Sequence, residues 1–166
     1  MDLDLTHLST PLGTYVLVAS ATGAVLVKPE EQAVARLARL ERQGARFREA
    51  ANPVNDAVAD ELTAYFAGHR RDFTVPLDLW GSEFQRTVWS ALCNVSYGTL
   101  TTYGALAGAL GRPAAARAIG RAVGTNPISI IVPCHRVIGS DGSLTGYGGG
   151  LPRKRALLTL ERGLGA

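Results

Sequence analysis

Only two cysteines, Cys93 and Cys134, occur among the 166 residues. Two thiols exclude a disulfide framework, and they are too few for a cysteine-rich zinc site. No apolar run approaches the roughly 20 residues a membrane span requires. The start, Met1-Asp2-Leu3-Asp4, is acidic and lacks the basic opening of a secretory signal. These absences predict a cytoplasmic chain that stays off membranes. Internal repeats and low-complexity tracts are also missing. What remains is a globular composition, 46% hydrophobic and 19% charged, long enough for one domain or two small ones.

Acidic residues are scarce in one half. Residues 1–80 carry 8 Lys/Arg against 11 Asp/Glu, net −3, whereas residues 81–166 carry 9 against 3, net +6. The change of pattern near Gly81 predicts an N-terminal domain over 1–80 and a C-terminal domain over 81–166. The basic half suits a polyanion, and equally a solvated basic face.

The N-terminal half reads as α/β. Thr14–Val18 and Ala24–Val27 predict a hairpin around Ala21-Thr22-Gly23. Helices are predicted over 30–43 and 55–67, the second stopped by Gly68. Phe73–Leu77 reads as an edge strand, because Pro76 cannot donate to a ladder.

From Gly81 the pattern turns helical. Ser82 and Gln85 form a capping-box pattern. Thr101 or Thr102 caps a short helix through Leu106 and Leu110. Pro113 then opens a helix over 114–123. The pair is a helix-turn-helix candidate. Its second helix is built from small residues, with Arg117 and Arg121 on one face. Ile128–Val132 reads as a short buried strand, and Pro152 opens a last helix.

The chemistry centres on Cys134. It lies between Pro133 and the cationic pair His135-Arg136, and cationic neighbours favour a thiolate. Cys93, inside the 82–95 helix, reads instead as a small buried hydrophobe. In an extended segment His135 would point away from the thiol. Some third group must orient the imidazole, and Glu161 is the best of three acidic candidates, Glu83, Asp141 and Glu161. On residues alone this Cys/His/Glu set fits a thiol hydrolase equally well.

Pro133-Cys134-His135-Arg136-Val137-Ile138 resembles the active-site motif of the O6-alkylguanine-DNA alkyltransferases, also called methylated-DNA–protein-cysteine methyltransferases. Phe84–Trp89, Tyr97–Gly104, Ala116–Gly120, Gly124–Pro127 and Leu144–Gly150 resemble further segments of that family, in its order and spacing. The resemblance spans residues 81–163. It is looser in the N-terminal half, through Thr10–Gly13 and Tyr65–Gly68. It implies a ribonuclease H-like α/β domain followed by a mainly helical domain with a helix-turn-helix.

The resemblance also implies roles. Cys134 is the alkyl acceptor, His135 its base through a water, Glu161 the residue orienting His135, and Asn126 the brace of the turn. Arg117 is the finger that fills the gap left by the extruded nucleotide. Tyr103 crowds the target phosphate and donates to the base. Ala118, Gly120 and Arg121 belong to the DNA-facing helix, and the place of Arg121 one turn beyond Arg117 separately predicts that it contacts a phosphate. Val137, Tyr147 and Gly148 line the guanine pocket, Gly148 standing where some relatives have serine. The implied partner is double-stranded DNA containing O6-alkylguanine, bound by a monomer. No cofactor is expected. No zinc is expected either, since the N-terminal half offers only His7 and His69. No fused transcription-regulating domain is expected in 166 residues. Two rivals stand beside this reading: a lesion sensor that does not react, and a cysteine hydrolase.

Overall fold

The computed structural model describes residues 1–162, and the chain divides into two compact units, Met1–Trp80 and the part from Gly81 onward. The first unit is α/β. Its strands are β1 (Asp2–Thr10), β2 (Gly13–Ala19), β3 (Ala24–Pro29) and β4 (Arg46–Glu49). Helix α1 (Glu30–Arg42) links β3 to β4, and α2 (Pro53–Phe66) follows. The sheet order is β3-β2-β1-β4, antiparallel except for the parallel β1–β4 pair.

Burial explains why these segments hold. Val16 and Val18 of β2 pack with Leu3, Leu5, Val25 and the α1 residues Ala33, Leu37 and Leu40. Tyr15 and Leu17, on the alternate face, are equally buried, so both faces of the sheet are covered. Asn52 caps α2 by accepting from the Val54 N–H at 2.8 Å, and its amide also donates to Asp4 at 2.8 Å. The Arg48 guanidinium, and then Asn52, hold the Asp4 carboxyl below the usual carboxylate range.

Two expectations change here. Phe73–Leu77 forms no strand: a single parallel bridge joins Leu77 to Ala24, through Ala24 N–H to Pro76 O and Asp78 N–H to Ala24 O. Pro76 contributes a carbonyl but no donor, so the ladder does not extend. Conversely, periodicity predicts neither β1 nor β4. β4 is an exposed edge whose one large apolar residue is Phe47.

The second unit contains α3 (Glu83–Leu92), α4 (Tyr103–Ala109), α5 (Ala116–Gly124) and α6 (Leu151–Arg162). Two short strands, β5 (Thr101–Thr102) and β6 (Val137–Ile138), pair in parallel. The capping box at Ser82 and Gln85 is fully formed, and Thr102 caps α4. Between α4 and α5 the chain turns at Gly111, φ +69°, and makes a 3-10 turn over Pro113–Ala115. The helix expected from residue 114 therefore starts two residues later. The Trp89 indole donates to the Ala122 carbonyl at 2.8 Å, and the Gln85 amide donates to Thr125 at 3.1 Å. These bonds fix α5 against α3.

Candidate active site

The thiol sits at the end of a segment that is apolar without being a strand. Residues 129–131 form a turn, flanked by a single bridge residue at Ile128 and a bend at Val132, rather than the expected β-run. Their side chains are buried, but Asn126 organises the backbone instead of a ladder. Its Oδ1 accepts from the Ile128 N–H at 2.9 Å, and its Nδ2 donates to the Val132 carbonyl at 2.8 Å. Ile130 has φ +73° and no exposure. A β-branched residue there is strained, so the packing around it overrides local preference.

The same Asn126 Nδ2 lies 3.1 Å from Cys134 Sγ. One buried amide thus joins the bend to the thiol. Cys134 opens a 3-10 turn, Cys134–Arg136, and is 7% exposed. The turn, unlike an extended strand, sends His135 and Arg136 together toward α6. His135 Nε2 meets Glu161 Oε2 at 2.6 Å. Arg136 donates to both carboxylate oxygens, Nε to Oε1 at 2.7 Å and Nη2 to Oε2 at 3.0 Å, and Nη1 donates to the Val95 carbonyl at 2.6 Å.

This changes the part played by Arg136. The charge expected to act on the thiol is matched instead by Glu161, in a fork that also fixes the carboxylate for His135. His135 is fully buried, and burial lowers its pKa although Glu161 opposes this. Burial thus favours its neutral form. With Nε2–H donating to the carboxylate, Nδ1 carries the lone pair. Nδ1 is buried and has no hydrogen-bond partner among the described residues. The arrangement provides an oriented base within the same turn as a thiol.

Around this centre stand the other expected residues. Val137 is fully buried in β6, and Tyr103 is half-buried at the start of α4. The Tyr103 hydroxyl donates to the Thr145 carbonyl at 3.4 Å. Burial raises its pKa, so it remains a proton donor. Tyr147 is half-buried and Gly148 exposed, both in the loop 139–150. A Cβ at Gly148 would meet the Gly124 carbonyl at 3.7 Å, an ordinary contact, so serine would fit there. On α5, Arg117 and Arg121 are exposed while Ala118 and Gly120 are half-buried. A Cβ at Gly120 would rest 3.7 Å from the Tyr103 ring. The structure thus forms two contacting sets, Asn126 with Cys134 and His135 with Glu161 and Arg136, joined by the chain at Cys134-His135, and Arg117 and Arg121 lie outside both.

Cys93 departs from its expectation: it is exposed, at the C-cap of α3. Sequence reasoning also passed over Lys154, a buried cation within the site's surroundings. Its signal is slight, one charged residue at an inward position of α6. Among the described residues no group of three His, Cys, Asp or Glu side chains could hold a metal ion, and no helix is long and apolar enough to cross a membrane.

The class these features define is a helix-turn-helix unit with its own cysteine–histidine–carboxylate site, preceded by an α/β unit. Residues 83–163 match the 6-O-methylguanine DNA methyltransferase, DNA binding domain, and residues 5–79 match the ribonuclease-like domain of the same proteins. The chain belongs to the 6-O-methylguanine DNA methyltransferase family.

Relatives named methylated-DNA–protein-cysteine methyltransferase include one from Mycobacterium tuberculosis, 60% identical over 103 residues, 62% of each chain. An inducible one from Bacillus subtilis is 52% identical over 104 residues, 63% of this chain and 58% of that one. The matched stretch thus spans about three-fifths of these curated relatives. Among solved structures, the Mycobacterium tuberculosis O6-methylguanine methyltransferase is 42% identical with a TM-score of 0.83, covering 99% of this chain and 95% of that one. The Mycobacterium tuberculosis OGT in complex with DNA is 42% identical with a TM-score of 0.82, covering 98% and 94%.

Proposed function

We propose that this protein repairs duplex DNA by moving the alkyl group of an O6-alkylguanine onto Cys134, once per molecule. The observation that carries the reading is the buried thiol, held by Asn126 at 3.1 Å and followed in the chain by His135, which is paired to Glu161 at 2.6 Å. Membership of the family supports it.

The chemistry follows from the protonation states. His135 Nδ1 takes the thiol proton through an intervening water, and the imidazolium formed is stabilised by Glu161. The thiolate attacks the saturated carbon attached to O6. A C–S bond forms, the C–O6 bond breaks, and its electron pair stays with guanine. Tyr103, still protonated, donates to the leaving base. The thioether product is a poor leaving group, so the protein is consumed.

The target atom lies inside the duplex, so the nucleotide must be turned out, at a cost of roughly a few kcal/mol. Arg117, exposed on α5, fills the gap it leaves. Ala118 and Gly120 let the helix backbone approach the minor groove, and Arg121 meets a phosphate. Val137, Tyr147 and Gly148 wall the guanine. Binding is read through phosphates and shape, so it weakens with salt. The protein acts as a cytoplasmic monomer without a cofactor.

A duplex carrying a labelled O6-methyl group tests the reading. Label bound to protein should plateau at one per chain, and Cys134→Ser should take none. Repeated turnover on activated esters without DNA would instead favour a hydrolase. Tight lesion binding without transfer would favour a sensor.

A further inference from the structure

Helix α6 supplies a second buried cation that the chemistry above does not use. Lys154 is 1% exposed, and its ammonium donates to the Val137 carbonyl at 2.5 Å and the Thr145 carbonyl at 2.9 Å. The two acceptors belong to different segments. Val137 directly follows the turn that carries Cys134, whereas Thr145 lies midway along the loop 139–150.

The side chain is an unusual choice for such a position. Arg136 has Glu161 as counter-charge, but no carboxylate pairs with Lys154 among the described residues. Burying an ammonium against neutral carbonyls is unfavourable unless its hydrogen bonds are well made. Burial accordingly lowers its pKa, with Cys134 acting in the opposite sense. An apolar side chain would fill this space without that penalty, so what the ammonium adds is the pair of bonds. One of its acceptors is shared: the Tyr103 hydroxyl reaches the same Thr145 carbonyl. The loop's other bonds include local ones, such as Gly139 N–H to Ser143 O at 2.9 Å and Ser143 Oγ to Asp141 at 2.6 Å. They shape the loop without tying it to Val137.

We propose that Lys154 is a positioning residue: it latches the loop 139–150 onto Val137 and so sets the pocket beside Cys134. The proposal rests on the alkyl-transfer reading for its catalytic consequence, though not for the latch itself. Lys154 neither gives nor takes a proton in the reaction. It holds the wall formed by Tyr147 and Gly148 at a fixed distance from the wall formed by Val137.

The test compares the full chain with Lys154→Met, which fills the space without donors, and Lys154→Gln, which is neutral but still polar. Hydrogen–deuterium exchange read by mass spectrometry should quicken at least about tenfold in peptides from 139–150, the factor for one lost charge-assisted bond. Peptides from α3 and α5 should be unchanged. On saturating O6-methylguanine duplex, the single-turnover rate should fall at least about tenfold while lesion affinity stays within about twofold. Loop exchange unchanged in both variants, or quickened equally throughout the unit, overturns the proposal. If Lys154→Met does not fold, Lys154→Gln decides by the same criteria. If the unsubstituted protein transfers nothing, the function reading fails, while loop exchange still decides the latch.

Discussion

Asn126 and Cys134 are joined through a single amide group, whose Nδ2 lies 3.1 Å from Sγ and 2.8 Å from the Val132 carbonyl. The contact makes the thiol's position depend on the whole bend between them. Asn126→Ala would leave the Ile128 N–H and the Val132 carbonyl without their partner. It should destabilise the protein by about 2–6 kcal/mol in urea unfolding, the range for two buried polar groups left unsatisfied. Transfer should fall with it. Native-like stability in this variant would show that the bend holds without its brace.

Glu161 serves two buried cations or donors at once. Glu161→Gln keeps the shape but removes the charge facing Arg136, which is 5% exposed. Loss of one partner of a buried pair is expected to cost about 3–5 kcal/mol. The variant should unfold at lower denaturant and transfer more slowly at neutral pH. A rate equal to the parent's would remove Glu161 from the orientation of His135.

Burial disfavours the charged form of His135, so its pKa lies below the ordinary histidine value. Below about pH 6.5 the unfolded chain takes up a proton that the folded chain does not. This contribution is complete above that pH and is lost as pH falls through the window beneath it. Urea unfolding from pH 8 to pH 5 should show a steeper loss for the parent than for His135→Gln. Parallel curves would contradict a neutral buried imidazole.

Arg117 and Arg121 are exposed on α5, so their removal should change stability by less than about 0.5 kcal/mol. Arg117→Ala should slow repair of duplex DNA yet leave reaction with a free O6-alkylguanine base intact. Arg121→Ala should reduce the slope of log affinity against log salt by about one. An unchanged slope would take Arg121 off the phosphate backbone.

Much of this was legible in the sequence, for reasons specific to each element. The Ser82 capping box and the Thr102 cap are local chemistry, and both form as the residues specify. The change to helical patterning near Gly81 falls where the chain divides into two units. Residues 128–132 misled because an apolar run records burial, not hydrogen bonding, and the Asn126 side chain supplies what a ladder would. β4 was illegible because an exposed parallel edge, Arg-Phe-Arg-Glu, carries no hydrophobic period. Arg136 reads from the sequence as charge beside the thiol, and Lys154 carries little sequence signal of its own. Their true partners, Glu161 and two backbone carbonyls, lie 9 to 25 residues away in the chain. No local pattern reports such pairings.

The most direct measurement is the mass of the intact protein and of its Cys134 peptide after mixing with a duplex containing one O6-methylguanine. The account predicts a gain of one methyl group on that peptide, stopping at one per molecule however much duplex is added. An unmodified Cys134 peptide, with the duplex bound but still methylated, would contradict it.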